Sequence, residues 1–183
     1  MESFYKKING LNNIISDRNR KFLSVIEGKS RTYGIDFYIK NTFKKHEFFI
    51  TYNLSKTEEY FPNFPTKEFQ KAPQDQRHEI KIANILNFYP FFISSNYVYG
   101  SGLRSSVFFT EERKIIPYSR LDIAFLYVLN FKFCKLKTGL SIINTLDTEN
   151  VNYSSFSRLP EDKTIYSKAI KFTPTIFLNL KFK

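Results

Sequence analysis

The chain has 183 residues, 28 Lys+Arg against 17 Asp+Glu, a formal net charge of +11, and 18% aromatic residues with 21 Phe, 12 Tyr and no Trp. That aromatic content excludes a disordered tail or a collagenous repeat, and the length suits one domain. A mean hydropathy of −0.35 and the lack of a long apolar run exclude a transmembrane helix, but not a transmembrane barrel, whose strands average out as mildly polar.

Period-two alternation dominates from Ser30 onward, which predicts an all-β chain. The segment before it, residues 1–27, holds a candidate partial strand from Phe4 to Ile15, interrupted by a polar turn at Asp17 to Arg20. Ile35, Phe37 and Ile39 then oppose Asp36 and Lys40. Phe48, Ile50, Tyr52 and Leu54 oppose Thr51, Asn53 and Ser55. Ile80, Ile82 and Leu86 oppose Asp75, Arg77, Glu79 and Lys81, with Asn84 breaking the apolar side. Strands follow at Phe91 to Ser101, at Arg120 to Tyr127, at Leu136 to Ile142 and at Ile176 to Phe182. Each is roughly ten residues, the length a tilted strand needs to cross a bilayer. Seven strands are expected, eight if the N-terminal candidate forms.

The connections alternate between short and long. Phe43 to Lys45, Asn87 to Pro90 and Asn130 to Lys135 are short. Lys56 to Pro73, Gly102 to Pro117 and Thr145 to about Thr164 are long, polar and proline-bearing. Outer-membrane barrels have this asymmetry, with short turns at one end and long loops at the other. In such a barrel the apolar parity faces lipid and the charged parity faces the interior; a small soluble barrel inverts the order.

No residue set points to catalysis. Along a strand His78 points away from Arg77 and Glu79, so Asp75, Arg77, Glu79 and Lys81 read as a lumenal charge ladder. Arg120 and Asp122 share a face and are expected to pair with charges on neighbouring strands. Cys134, the only cysteine, falls in a short turn with no His or acid near it in sequence. Gly100-Ser101-Gly102 lacks the helix and Lys-Ser/Thr of a phosphate loop and reads as a strand end. Asn144 and Asp147 to Asn150 carry the turn chemistry of a hairpin tip more readily than a cation site. We therefore expect no catalytic, cofactor-binding or metal site, and no enzyme. The first ten residues lack the apolar core of an export signal, so no signal peptide is expected. The basic residues are scattered in ones and twos, so no nucleic-acid partner is expected.

Six segments taken together resemble the β-barrel of TonB-dependent outer-membrane receptors of Bacteroidetes type. They are Gly28 to Asp36, Asp75 to Ile80, Tyr97 to Gly102, Pro117 to Asp122, Gly139 to Asn144 followed by Asp147 to Val151, and Phe172 to Phe182. They occur in the family's order and spacing, covering residues 28–183 as the C-terminal barrel strands; the family ends in an aromatic residue, whereas Lys183 follows Phe182 here. The resemblance implies an antiparallel up-and-down transmembrane barrel of about 22 strands with an N-terminal plug. This chain supplies its last seven or eight strands. Such a receptor takes up a scarce nutrient, siderophore-like, cobalamin-like or an oligosaccharide, at the outer membrane of a Gram-negative bacterium. Its implied partners are outer-membrane lipid, the N-terminal barrel and plug, and the energy-coupling inner-membrane complex that acts through the plug. The alternative is a self-contained eight-stranded barrel serving as membrane anchor, channel or ligand-binding protein. A third reading is a soluble β-protein that stacks nucleic-acid bases on its aromatics.

Overall fold

The computed structural model describes residues 1–16, 23–102, 115–157 and 163–182. They form β1 (Glu2–Ser16), β2 (Leu23–Phe43), β3 (His46–Tyr60), β4 (Gln70–Lys71), β5 (His78–Phe88) and β6 (Phe91–Gly100). β7 (Tyr118–Asn130), β8 (Cys134–Ile143), β9 (Val151–Ser157), β10 (Lys163–Lys168) and β11 (Thr173–Phe182) follow. No helix occurs among the described residues.

The main sheet is antiparallel and up-and-down, in the order β1-β2-β3-β5-β6-β7-β8-β11, with β4 adding to β3 and β9-β10 forming a separate hairpin. The sheet is open, since β1 and β11 each have one unpaired edge. Before Gly28, β1 and the start of β2 join it: β1 pairs with β2 from Glu2↔Asp36 to Ser16↔Leu23, with a bulge between Asn9 and Leu11. The polar stretch at Asp17 to Arg20 lies outside the described residues.

Each expected strand forms, and several run on past their expected ends. β3 continues five residues beyond Ser55 to Tyr60, and Cys134 is the first residue of β8 rather than part of the turn. The loop after Thr145 carries its own hairpin, β9-β10. The short turns sit at Lys44-Lys45, Tyr89-Pro90 and residues 131–133.

Register partners share a face, so the alternation becomes two chemically distinct sides. Ile39, Ile50, Ile82, Tyr97 and Leu121 form one continuous row across β2, β3, β5, β6 and β7. Leu86, Ile93, Phe125, Leu140 and Ile176 form another, reaching β11. The opposite face carries Asp36, Asn53, Glu79, Lys81, Asn96, Arg120 and Asp122 in its loop-side half. Its turn-side half is different: Phe92, Leu126, Gly139 and Phe177 form an apolar row there. Phe177 lies over Gly139, where an added Cβ would stand 2.6 Å from the ring.

Two polar pairs lie on the apolar face. Asn84 is hydrogen-bonded to His46 across β3 and β5. Tyr52 Oη and His78 Nδ1 are 2.8 Å apart.

Among the described residues no second layer covers the sheet. A compact globule of 21.7 kDa exposes about 9,200 Å², whereas this chain exposes 13434 Å². The buried apolar side chains are Phe61, Phe64, Ala72 and Val128, and three of these belong to the loop between β3 and β5. Ile39, Phe125, Ile176, Leu178 and Phe182 on the apolar face are all exposed.

Candidate functional site

The loop-side half of the polar face gathers Asp36, Glu79, Lys81, Arg120 and Asp122. Asn53 Nδ2 donates to Asp36 Oδ1 across β2 and β3. Lys81 Nζ lies 2.8 Å from Glu79 Oε1, two residues along the same strand and face. Arg120 Nη2 lies 3.1 Å from Asp122 Oδ2. The expected pairing of Arg120 and Asp122 with charges on neighbouring strands does not form, because their cross-strand partners on β6 are the neutral Val98 and Asn96. The two residues pair with each other along β7 instead. Asp122 Oδ1 also accepts the Asn144 backbone N–H at 2.9 Å, and Arg120 Nη1 donates to Tyr118 Oη at 3.1 Å.

The expected four-residue ladder divides. Glu79 and Lys81 lie on β5, but Asp75 and Arg77 precede it in the loop. Asp75 is 1% exposed and accepts the Thr57 backbone N–H. Its Oδ2 sits 3.4 Å from Lys71 Nζ and 3.8 Å from Arg77 Nη2. Burial of a carboxylate requires such partners, and the loop supplies them by folding back onto β3. β4 pairs there, Glu58↔Lys71 and Glu59↔Gln70, on the same side of β3 that β5 occupies lower down. The loop thus fills the step left where β3 outruns β5.

Glu58 is the centre of the adjoining ionic group, with Arg31 Nη2 at 2.8 Å and Lys56 Nζ at 2.7 Å. Burial works to raise the Glu58 carboxyl, but hydrogen bonds from Lys56 and Arg31 outweigh it and hold the group below the usual carboxylate range. The Arg31 guanidinium also lies 4.4 Å from the Phe69 ring centroid. Phe61 and Phe64 pack edge to face, 5.5 Å between centroids. Phe61 lies against Gly28, where a Cβ would meet its ring at 2.5 Å. The alternation pattern stopped at Ser55 and so gave no sign of Glu58; the only trace in sequence is that Lys56, Glu58 and Tyr60 keep one parity.

Asn144 and Asn150 hold backbone groups around the turn. Asn144 is fully buried with a φ of 54°. Its Nδ2 donates to Thr148 O and Ile170 O, each at 3.0 Å, and its Oδ1 accepts the Thr148 N–H at 3.1 Å. Asn150 closes a two-way clasp on Ser119, accepting its N–H and donating to its carbonyl, both at 2.7 Å. These amides tie the β8–β9 connection to the end of β7.

The remaining motifs separate in space. Gly100 ends β6 and packs against Gln76, while Gly102 takes a φ of 92°. Cys134 is half-buried and level with Phe182. Arg104, Arg113 and Lys114 lie outside the described residues. Among the described residues no group of His, Cys, Asp and Glu is arranged to hold a metal. No protein-family model, curated protein or solved structure matches the chain.

Proposed function

We propose that this chain is a section of wall from an outer-membrane β-barrel, the C-terminal strands of a TonB-dependent receptor that takes up a scarce nutrient, and that it is a transport component and not an enzyme. The observation that carries the reading is the sheet's continuous apolar rows, on which exposed residues such as Ile39, Phe125 and Ile176 have no second layer packed among the described residues. Lipid is a medium in which such a face is stable. Paired ions on the opposite face suit a wet interior, and the six ordered motifs supply the family. On this reading the partners are outer-membrane lipid, the preceding barrel strands with their plug, and the inner-membrane energy-coupling complex acting through that plug. The test is expression with an export signal, followed by fractionation. Recovery in the outer membrane, released by detergent and not by alkaline carbonate, is expected. A chain that is monomeric in aqueous buffer without detergent overturns the reading.

A second reading has its own support. With eight strands the free edges of β1 and β11 run antiparallel, and Phe92, Leu126, Val128 and Phe177 share the face that a closed barrel would enclose. An eight-stranded barrel has an interior that side chains fill. Disulfide trapping between cysteines placed on β1 and β11 separates the two: efficient crosslinking within one chain marks a self-contained barrel acting as anchor, channel or ligand-binding protein.

A further inference from the structure

The ions of the sheet are distributed unequally between its two ends. Every ion pair formed among the described residues lies in the loop-side half: Arg31 and Lys56 with Glu58, Lys71 and Arg77 with Asp75, and the pairs at Glu79, Asp122 and Glu149. The turn-side end carries Lys44, Lys45, Lys132, Lys135, Lys137 and Lys181, and none of them has a carboxylate within ion-pair distance among the described residues. Glu47 is the single acid in the segments that form this end, residues 37–49, 84–95, 127–139 and 176–182. Lys135 and Lys181 are direct cross-strand partners on the polar face, so like charges stand opposite each other there.

These lysines are interleaved with exposed aromatic rings. Lys44 Nζ lies 5.2 Å from the Phe43 ring, Lys45 Nζ 6.0 Å from Phe88 and Lys132 Nζ 5.5 Å from Phe133. The three rings are 65%, 49% and 73% exposed. Rings at the edge of an apolar band, each with an ammonium beside it, match the boundary between acyl chains and headgroups. There the ring takes the apolar side and the ammonium the phosphate side.

We propose that the turn-side rim is a docking surface for the anionic phospholipid headgroups of the leaflet it meets, with Lys44, Lys45 and Lys132 as the headgroup contacts. The inference rests on the membrane reading and adds a lipid preference to it. Uncompensated cations on a rim attract a surface of fixed negative charge and are released from it by salt. At the loop-side end seven described cations, Arg31, Lys56, Lys71 and Arg120 among them, already hold carboxylates, whereas no described turn-side lysine does.

The test is dilution of the full chain from urea into vesicles of phosphatidylcholine alone or mixed with phosphatidylglycerol, read by co-sedimentation at several salt concentrations. The expected result is tighter, salt-sensitive association with the anionic vesicles. A Lys44→Gln/Lys45→Gln/Lys132→Gln variant should lose that preference by on the order of a hundred-fold in partition coefficient, while retaining association with neutral vesicles. A charge-matched Lys29→Gln/Lys67→Gln/Lys171→Gln variant at the other end should keep it, with strand content followed by far-UV circular dichroism for both. Equal loss in the two variants assigns the effect to net charge and overturns the proposal. Equal binding of the unaltered chain to both vesicle types also overturns it, and so does rim-dependent retention on nucleic acid without lipid preference. No association with either vesicle type is a different failure, which sinks the membrane reading itself.

Discussion

Glu2, the first residue of β1, stands level with Tyr118, the first residue of β7, through the register steps Asp36, Asn53, Glu79 and Gly100. The two strands run in opposite directions, so β1 lies wholly on the loop side of β7. The short turns show the same slip. Asn87 N–H bonds to Lys45 O, placing the Tyr89-Pro90 turn two residues beyond the first turn, and Val128 N–H bonds to Pro90 O, placing the next turn at Phe131 three residues further. Strands about 4.8 Å apart and tilted 35–45° slip by roughly 4 Å, a little over one residue, per strand. Two to three residues per hairpin is therefore the stagger of a barrel wall.

The two faces of β7 should respond oppositely to charge. Ile123 lies between Ser95 and Ile142 on the apolar face, and Asp122 lies opposite Asn96 on the polar one. Ile123→Arg is expected to cost about 2–4 kcal/mol near a bilayer midplane, measured by denaturant titration in lipid. In a Cys134→Ser background, cysteine at position 122 should react with a membrane-impermeant reagent from the lumenal water and cysteine at position 123 should be protected. The reverse pattern inverts the topology.

Removing the Asn144 amide should loosen the loop that carries β9 and β10. Its side chain is buried and makes three hydrogen bonds, and its backbone is left-handed. Asn144→Ala leaves two carbonyls and an N–H without partners, a loss of about 2–3 kcal/mol. Hydrogen exchange at Thr148 and Ala169 reports it directly. Unchanged protection there would show that the amide is not what holds the loop.

The loop-side cap should be acid-sensitive. Glu58 titrates lower in the folded chain than its ordinary value of 4.5, because the hydrogen bonds from Lys56 and Arg31 outweigh burial. A group depressed by folding stabilises the fold above its unfolded value and loses that contribution as pH falls through the folded one. Proteolysis within residues 61–69 should stay flat down to about pH 4.5 and rise below it. Glu58→Gln should flatten the acid response while raising proteolysis at neutral pH, and an unaltered profile in that variant would dissociate the cap from Glu58.

As a receptor section, the chain alone should not transport. Seven or eight strands are about a third of a wall of about 22, and unpaired edges in hydrocarbon cost several kcal/mol per group. Cells expressing only these residues with an export signal should show no energy-dependent ligand accumulation above background. Accumulation would refute the receptor-section reading.

Period-two alternation was enough to place the seven main-sheet strands from Ser30 onward and their apolar parity, because those depend only on the two-residue repeat of an extended backbone, but it missed β4 and the β9–β10 hairpin. It also marked Asn84 as a break in the apolar face, though not His46 as its partner. Which strand residues stand level was beyond it: register couples residues such as Glu2 and Tyr118, 116 positions apart, and each pairing shifts every later one. The same long-range coupling moved Asp75 and Arg77 off the ladder, since β3 outruns β5 and the loop must fold back to satisfy the edge left open. It also turned Arg120 toward Asp122, because the neighbours that register supplied were neutral. Local periodicity determined the main-sheet strands from Ser30 onward and their faces; the tertiary structure alone decided the stagger, the buried carboxylate and the unpaired basic rim, all of which depend on what other strands bring alongside.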